Sequence, residues 1–262
     1  MQPTNYQSST PEQQAFSLSP GSLQDQVILI TGATGGLGTC LSFECARAGA
    51  TLVLASKSQK KLEKLYDALL DAGAPKPAIV PLRQDKAGPA EYAQLEDLLA
   101  QEFGRLDALV HCSADLGTPT PQISIEHAEW VRVMNVNLTA ARLLSLQCMP
   151  MLMDSALGSL VFMLDHKTTA YWGSYGVSKQ ALKSLMHMLA DETKNKKGED
   201  QCPRLAINGY DPGPIRTPMR RRSFPGELET ETELPLTRLG PLLSLISRED
   251  RAITGSALCF SQ

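Results

Sequence analysis

Residues 26–38 read QVILITGATGGLG, and the fold turns on them. The apolar run after Gln26 reads as a buried strand, and the glycines begin where it ends. Glycine permits a tight turn and lets the backbone approach a pyrophosphate. A helix opening at Gly36 adds free N–H groups and the positive end of its dipole. A glycine-rich turn is weak on its own, and an ordinary strand–helix turn is the alternative. Placed directly after the first strand and at the start of a helix, it has the context that a dinucleotide-binding turn requires.

Working outward, short apolar runs alternate with helical patterns. A helix over 36–49 ends at Gly49. TLVLA (51–55) is the next strand, and the helix over 58–73 places Leu62, Leu65 and Leu69 on one face. AIVPL (78–82), a helix over 89–103 and LDALVHC (106–112) follow. Residues 126–153 read as one long helix, with Pro150 as a kink or late break. GSLVFML (158–164), a helix from Gly173 to Thr193, RLAINGY (204–210) and SALCF (256–260) complete the pattern. Strands alternating with helices imply βαβ units. The expectation is an α/β, single-domain Rossmann fold over residues 23–262. Its doubly wound parallel sheet has about seven strands, with helices on both faces. Residues 1–22 are Gln/Ser/Pro-rich and polar, and are expected to form a flexible tail.

Composition narrows the function classes. The chain has 262 residues, 42% of them hydrophobic and 20% charged, with a net charge of −3. Without an overall basic excess, nucleic acid is not an expected partner. Arg220–Arg222 is the one local exception, read as a solvated face or an anion site. Six cysteines lack C-x-x-C spacing, so no metal site is expected and the thiols read as reduced. The N-terminus does not read as a signal peptide, and no apolar run is long enough to span a bilayer. These features point to a cytoplasmic protein without membrane partners.

A second stretch carries the chemistry: LDHKTTAYWGSYGVSK, residues 164–179. Positions i and i+4 share a helix face, so Tyr175 and Lys179 point together. A free phenol is a poor base near neutrality, and a nearby cation lowers its pKa. Asn137, in VNLTA, sits in a predicted helix interior, where that residue type wants an explanation. Surface capping by Asn135 is the bland alternative.

The spacing T-G-x-x-x-G-x-G, with Y-x-x-x-K about 140 residues on, resembles the short-chain dehydrogenase/reductase family. Asn137, the run Pro212-Gly213-Pro214-Ile215-Arg216-Thr217 and Ile253-Thr254-Gly255 add to the match. The resemblance spans residues 25–260. Within the family, GSLVF, YWGSY and TPMR followed by SFP are similar to the YciK-type bacterial oxidoreductases. The resemblance implies that Tyr175 exchanges a proton with a carbonyl or alcohol substrate as hydride moves. Lys179 would tune Tyr175 and hold the nicotinamide ribose, and Asn137 would support a proton-relay water. It also implies cofactor contacts from Gly32, Thr34, Gly36, Leu37, Gly38, Ser113, Ala114, Pro212, Gly213, Ile215 and Thr217. Proteins of this fold that prefer NAD carry an acid at the end of the second strand. Here Ser56 and Lys57 stand there, which favours NADP (NADPH) over NAD. A homodimer or homotetramer, formed through the helices over 126–153 and 173–193, is implied as well.

Three departures complicate this. The family's substrate-binding Ser stands about thirteen residues before the Tyr, where this chain has Phe162. Alignment by strand puts Asp165 at that place, on a loop three residues shorter. An ionised Asp only accepts hydrogen bonds. It would serve if burial kept it protonated, or if the substrate offered a donor or a cation. Thr168 or Thr169 could substitute for it, or Asp165 could simply pair with His166 or Lys167. Cys112-Ser113-Ala114-Asp115 replaces the family's Asn-Asn-Ala-Gly, and Arg83 stands where an adenine-reading Asp is expected, with Asp85 two residues late. Residues Met219–Arg238 lie where a substrate lid is expected, and Tyr171, Trp172 and Met219 read as pocket wall or core. Two functions therefore stand side by side: an NADP(H)-dependent oxidoreductase, and a catalytically impaired NADP-binding regulatory or scaffold protein.

Overall fold

The computed structural model describes residues 6–194, 202–249 and 251–260. Val27–Thr31 (β2), Thr51–Ser56 (β3), Ala78–Pro81 (β4), Ala108–His111 (β5), Gly158–Met163 (β6), Leu205–Asp211 (β7) and Ala257–Cys259 (β8) are the strands expected from the apolar runs. An additional strand, Gln7–Ser8 (β1), brings the sheet to eight among the described residues. All pairs are parallel, in the order β1-β8-β7-β6-β5-β2-β3-β4.

Alternation along the strands builds two cores. Ile28, Ile30, Leu52 and Leu54 face one layer, formed by the helices Gly36–Arg47 (α2), Gln59–Asp71 (α3) and Gly240–Ser247 (α9). Val27, Leu29, Val53 and Ala55 face the other. There they meet Pro89–Glu102 (α4), Ala140–Asp154 (α6) and Gly173–Thr193 (α7). Strands buried on both faces need apolar residues throughout, which is why VILIT reads without alternation. The chain reverses its direction of travel across the sheet between β2 and β5, and the crevice at their carboxyl ends is where ligands bind in such sheets.

The expected flexible tail is corrected from Tyr6 onward; residues 1–5 lie outside the described residues. Gln7 pairs with Leu258 and Ser8 with Cys259, and the Ser9 amide donates to the Cys259 carbonyl at 2.8 Å. Thr10 then caps a short helix, Pro11–Ala15 (α1), through a reciprocal capping box with Gln13. Leu18 and Leu23 are buried in the first core, and Phe16 packs against it. Polar composition concealed this arm, because the backbone hydrogen bonds to a sheet edge and a few inward-turned apolar side chains hold it.

The predicted helix over 126–153 is also resolved more finely. His127–Met134 (α5) passes through a π turn at Asn135–Thr139 into α6, which carries Pro150 within its last turns. No helix among the described residues is long and apolar enough to cross a membrane. Among those residues, no group of three or more His, Cys, Asp or Glu is placed to hold a metal ion.

Docking of the arm leaves no room at Gly240. A Cβ there would lie 2.3 Å from the Gln14 carbonyl oxygen and 2.5 Å from that of Gln13. Gly240→Ala is therefore expected to cost about 2 kcal/mol and lower the Tm by roughly 4–8 °C. Gly226→Ala, with nothing within 4 Å of its added methyl, is expected to leave the Tm unchanged; a thermal melt of both variants checks the pair.

Candidate active site

The glycine turn closes against the loop after β5. Gly32 has φ +65°, and a Cβ on it would lie 2.7 Å from the Ser113 amide nitrogen. A Cβ on Gly38 would lie 2.4 Å from the Gly32 carbonyl oxygen. Both positions exclude a side chain. α2 opens at Gly36, between these two glycines, so its first amides face the crevice.

The crevice is a single cleft of roughly 700 Å³. Gly32, Thr34, Gly36, Leu37, Gly38, Ser56, Lys57, Ser113 and Ala114 line one part of it. Tyr175, Lys179, Pro212, Gly213, Ile215 and Thr217 line the rest, so the structure brings every residue expected to contact cofactor into one cavity. Asp165 lines it too. Asn137 does not; it lies behind the wall, 1% exposed.

α7 presents Tyr175 and Lys179 on its buried face. The Tyr175 hydroxyl donates to Asp165 Oδ2 at 2.9 Å. The other oxygen of Asp165, Oδ1, is 3.3 Å from the Lys167 ammonium, which also lies over the Trp172 ring. Asp165 therefore does both things the sequence left open: it pairs with Lys167 and it reaches the Tyr175 hydroxyl. Thr168 and Thr169 are exposed and line a separate depression on the outer face of α7, so they do not take its place.

The expected lowering of the Tyr175 pKa is corrected. Burial, the Asp165 charge and the hydrogen bond to Asp165 hold the phenol well above its ordinary value, with Asp211 and Tyr6 adding to the effect. Lys179 is 5.7 Å from the Tyr175 ring centroid, and its ammonium donates to the Met163 carbonyl at 2.7 Å. Burial lowers the pKa of Lys179, against the opposing pull of Asp165, Cys112 and Asp211. Asp211, at the end of β7, accepts from the amides of Gly213 and His166, and burial and the Asp165 charge raise its pKa.

Asn137 sits in the π turn with its amide fully used. Oδ1 accepts from the Asp115 amide at 2.7 Å, while Nδ2 donates to the Asp115 carbonyl and to Ser178 Oγ, each at 2.9 Å. It clamps the loop after β5 to α7. Ser178 donates in turn to the Tyr175 carbonyl. Asp115 accepts from Gly117 N and from Arg132 Nε. Burial raises its pKa, but Arg132 and the Gly117 amide outweigh that and hold it below the usual carboxylate range.

At the far end, Ser56 and Thr34 share a 2.6 Å hydrogen bond beside Lys57, and Lys61 and Arg132 add cations that the sequence reading missed. Arg83 forks onto Asp85 at 3.2 and 2.6 Å, and both line the cleft. The missed cations lie on helices, with spacing unrelated to the motif; only the fold collects them.

The expected lid carries the helix Pro218–Ser223 (α8). Met219, Arg220, Arg222, Phe224 and Trp172 line the cleft. Arg220 is paired with Glu227, and Arg222 donates to the Gly117 carbonyl. Tyr171, with φ +71° and 64% exposure, lines the separate outer depression instead.

Comparison with known proteins agrees with this geometry. The family described as short chain dehydrogenase matches residues 26–228. The Escherichia coli K12 oxidoreductase YciK is 31% identical over 236 residues, covering 89% of this chain and 90% of that protein. A short-chain dehydrogenase structure from Pseudomonas syringae superposes with a TM-score of 0.87 at 33% identity, over 93% of this chain and 98% of that one. Another, from Shigella flexneri and complexed with NADP, has a TM-score of 0.86 at 30% identity, over 92% and 99%. The chain belongs to the short-chain dehydrogenase family.

Asn137→Ala would leave the Asp115 amide and carbonyl without their partner. The expected cost is about 2–3 kcal/mol of stability, read as a lower urea midpoint with an unchanged slope.

Proposed function

We propose that this chain is an NADP(H)-dependent oxidoreductase that interconverts a small carbonyl compound and its alcohol, with Tyr175 as the proton donor. The observation that carries the reading is a buried Tyr175 hydroxyl opening on the same cleft as the glycine turn, beside Lys179 and bonded to Asp165. A dinucleotide fits the residues present. The turn lacks the side chains that would block a pyrophosphate, and Ser56, Lys57 and Lys61 supply hydroxyl and cations where a 2′-phosphate would lie. The relatives solved with NADP and NADPH support the same choice.

Bound NADPH supplies the hydride. The chain's own work is at the oxygen. Tyr175 is protonated across the neutral range because burial and Asp165 hold its pKa up, so it is poised to donate. A substrate oxygen must replace Asp165 Oδ2 as the acceptor of that proton. Lys167 then keeps the carboxylate neutralised. Because an ionised Asp165 accepts only, a substrate with a hydroxyl or a cationic N–H next to the reacting carbon suits the site. Met219, Trp172 and Phe224 would cover its apolar part.

The rival reading has its own observation: Asp165 holds the Tyr175 proton where the family's Ser would offer one. A protein that binds NADPH but reduces no carbonyl across a broad panel would be the NADP-binding regulatory or scaffold form. We also propose a cytoplasmic homo-oligomer, on the free thiols of Cys40, Cys45, Cys112, Cys148 and Cys259 and on the apolar side chains Leu146, Val177 and Met188 exposed along α6 and α7.

Tyr175→Phe is expected to lower kcat by about 10²–10⁴-fold with NADPH affinity retained, by steady-state kinetics and fluorescence titration; wild-type turnover in that variant would sink the assignment. Lys57→Ala should weaken NADPH about tenfold, roughly 1.4 kcal/mol, and leave NADH unchanged. The raised phenol pKa sets the sign of the pH dependence. Reduction needs the phenol and stays flat through neutrality, while oxidation needs the phenolate and climbs with pH. Asp165→Asn removes a charge that raises this pKa, so the limbs of both pH–rate profiles should move to lower pH.

A further inference from the structure

The N-terminal arm ends against the catalytic loop. Tyr6 stands just before β1, which is pinned to β8. Its ring meets the His166 ring edge-on, with centroids 5.5 Å apart at 79°. The buried Lys183 ammonium of α7 lies 3.9 Å from the Tyr6 centroid. The Tyr6 hydroxyl is buried and without a hydrogen-bond partner. Asp211 and Asp165 both act on it electrostatically. The arm's first aromatic side chain thus packs on the residue that follows Asp165 and whose amide donates to Asp211.

We propose that Tyr6 is a positioning residue for the site: its ring braces His166, and so holds the preceding Asp165 carboxylate on the Tyr175 hydroxyl. His166 is gripped from two sides, by Asp211 at its amide (3.0 Å) and by Tyr6 at its ring. Among the described residues, Asp165 has one main-chain bond away from its own loop, a 3.4 Å contact of its carbonyl with the Gln180 amide group. In the loop from Leu164 to Trp172, His166 and Thr168–Tyr171 are exposed and Tyr171 has positive φ, and the loop's own hold on Asp165 is through Lys167, by its amide and its ammonium. An edge-on aromatic contact and a cation over a ring are directional, unlike plain burial, and so suit the fixing of a position. A shift of a fraction of an ångström at Asp165 would lengthen the 2.9 Å bond to Tyr175 and alter proton delivery. The brace is the ring; the hydroxyl, having no partner, contributes nothing to it.

The inference rests on Asp165 and Tyr175 as the proton-handling pair, so its test includes a readout independent of turnover. Full-length wild type, Tyr6→Ala, Tyr6→Leu and Tyr6→Phe are compared by hydrogen exchange and by NADPH-dependent reduction of isatin, a reactive dicarbonyl probe. In Tyr6→Ala, residues 164–172 should exchange about tenfold faster while 7–15 keep their protection. Its kcat on isatin should fall about tenfold, with the NADPH KM unchanged. Tyr6→Phe should match wild type in both. If Tyr6→Ala releases the arm as well, Tyr6→Leu, which keeps apolar bulk without an aromatic edge, gives the same comparison. Unchanged exchange over 164–172 in Tyr6→Ala or Tyr6→Leu overturns the proposal, as does a Tyr6→Phe variant as impaired as Tyr6→Ala. A wild type that binds NADPH but reduces neither isatin nor a panel of α-hydroxy ketones counts against the reductase reading, and the exchange comparison still decides the role of Tyr6.

Discussion

The backbone of Gly32 presses so closely on the loop after β5 that a Cβ there would lie 2.7 Å from the Ser113 amide nitrogen. That approach sets the crevice. It brings the end of β2 against the end of β5, where the sheet's direction of travel reverses, and points the start of α2 into the gap. Everything the site uses hangs from the ends of the same central strands. Asp165 follows β6, Asp211 ends β7, and Asn137 holds the loop after β5 against α7. Side chains from distant parts of the chain meet because parallel strands finish on one edge.

Around Tyr175 the buried charges are each partnered. Lys179 is 2% exposed, which by itself disfavours its ammonium. The Met163 carbonyl and the fields of Asp165, Cys112 and Asp211 offset that cost. Asp165 is shared between a phenol and Lys167, and Asp211 takes two backbone amides. The cation and the acid act on Tyr175 in opposite senses, and the acid is the one bonded to it. Hence the phenol stays protonated, which favours the donor role over the base role.

Much of this was legible in the chain. The seven strands from QVILIT to SALCF are apolar runs of strand length. The glycine turn and the Tyr175–Lys179 spacing are local patterns whose geometry follows from φ freedom and helix periodicity. What was not legible depends on distance in space. The direction of the Tyr175 shift needed the 2.9 Å contact with Asp165, ten residues away on a loop without regular structure. Arg132 and Lys61 join the cofactor end only because α5 ends and α3 begins beside it. The arm from Tyr6 to Leu23 was missed because its composition is that of a flexible chain. Its order comes from hydrogen bonds to a strand edge, which leave no mark on side-chain chemistry.

That arm also bears on how the loop after β6 is held. Its first residues carry the acid that touches Tyr175. The support comes from outside: Asp211 at the His166 amide and Tyr6 at the His166 ring. An edge strand that merely covered the sheet would need no aromatic residue at its start. A Tyr there, with its hydroxyl buried and unpartnered, carries a desolvation cost. The contacts that offset this cost are those its ring makes with His166 and Lys183. Fold and site are therefore linked at both ends of the chain, since β8 holds the arm that holds the loop.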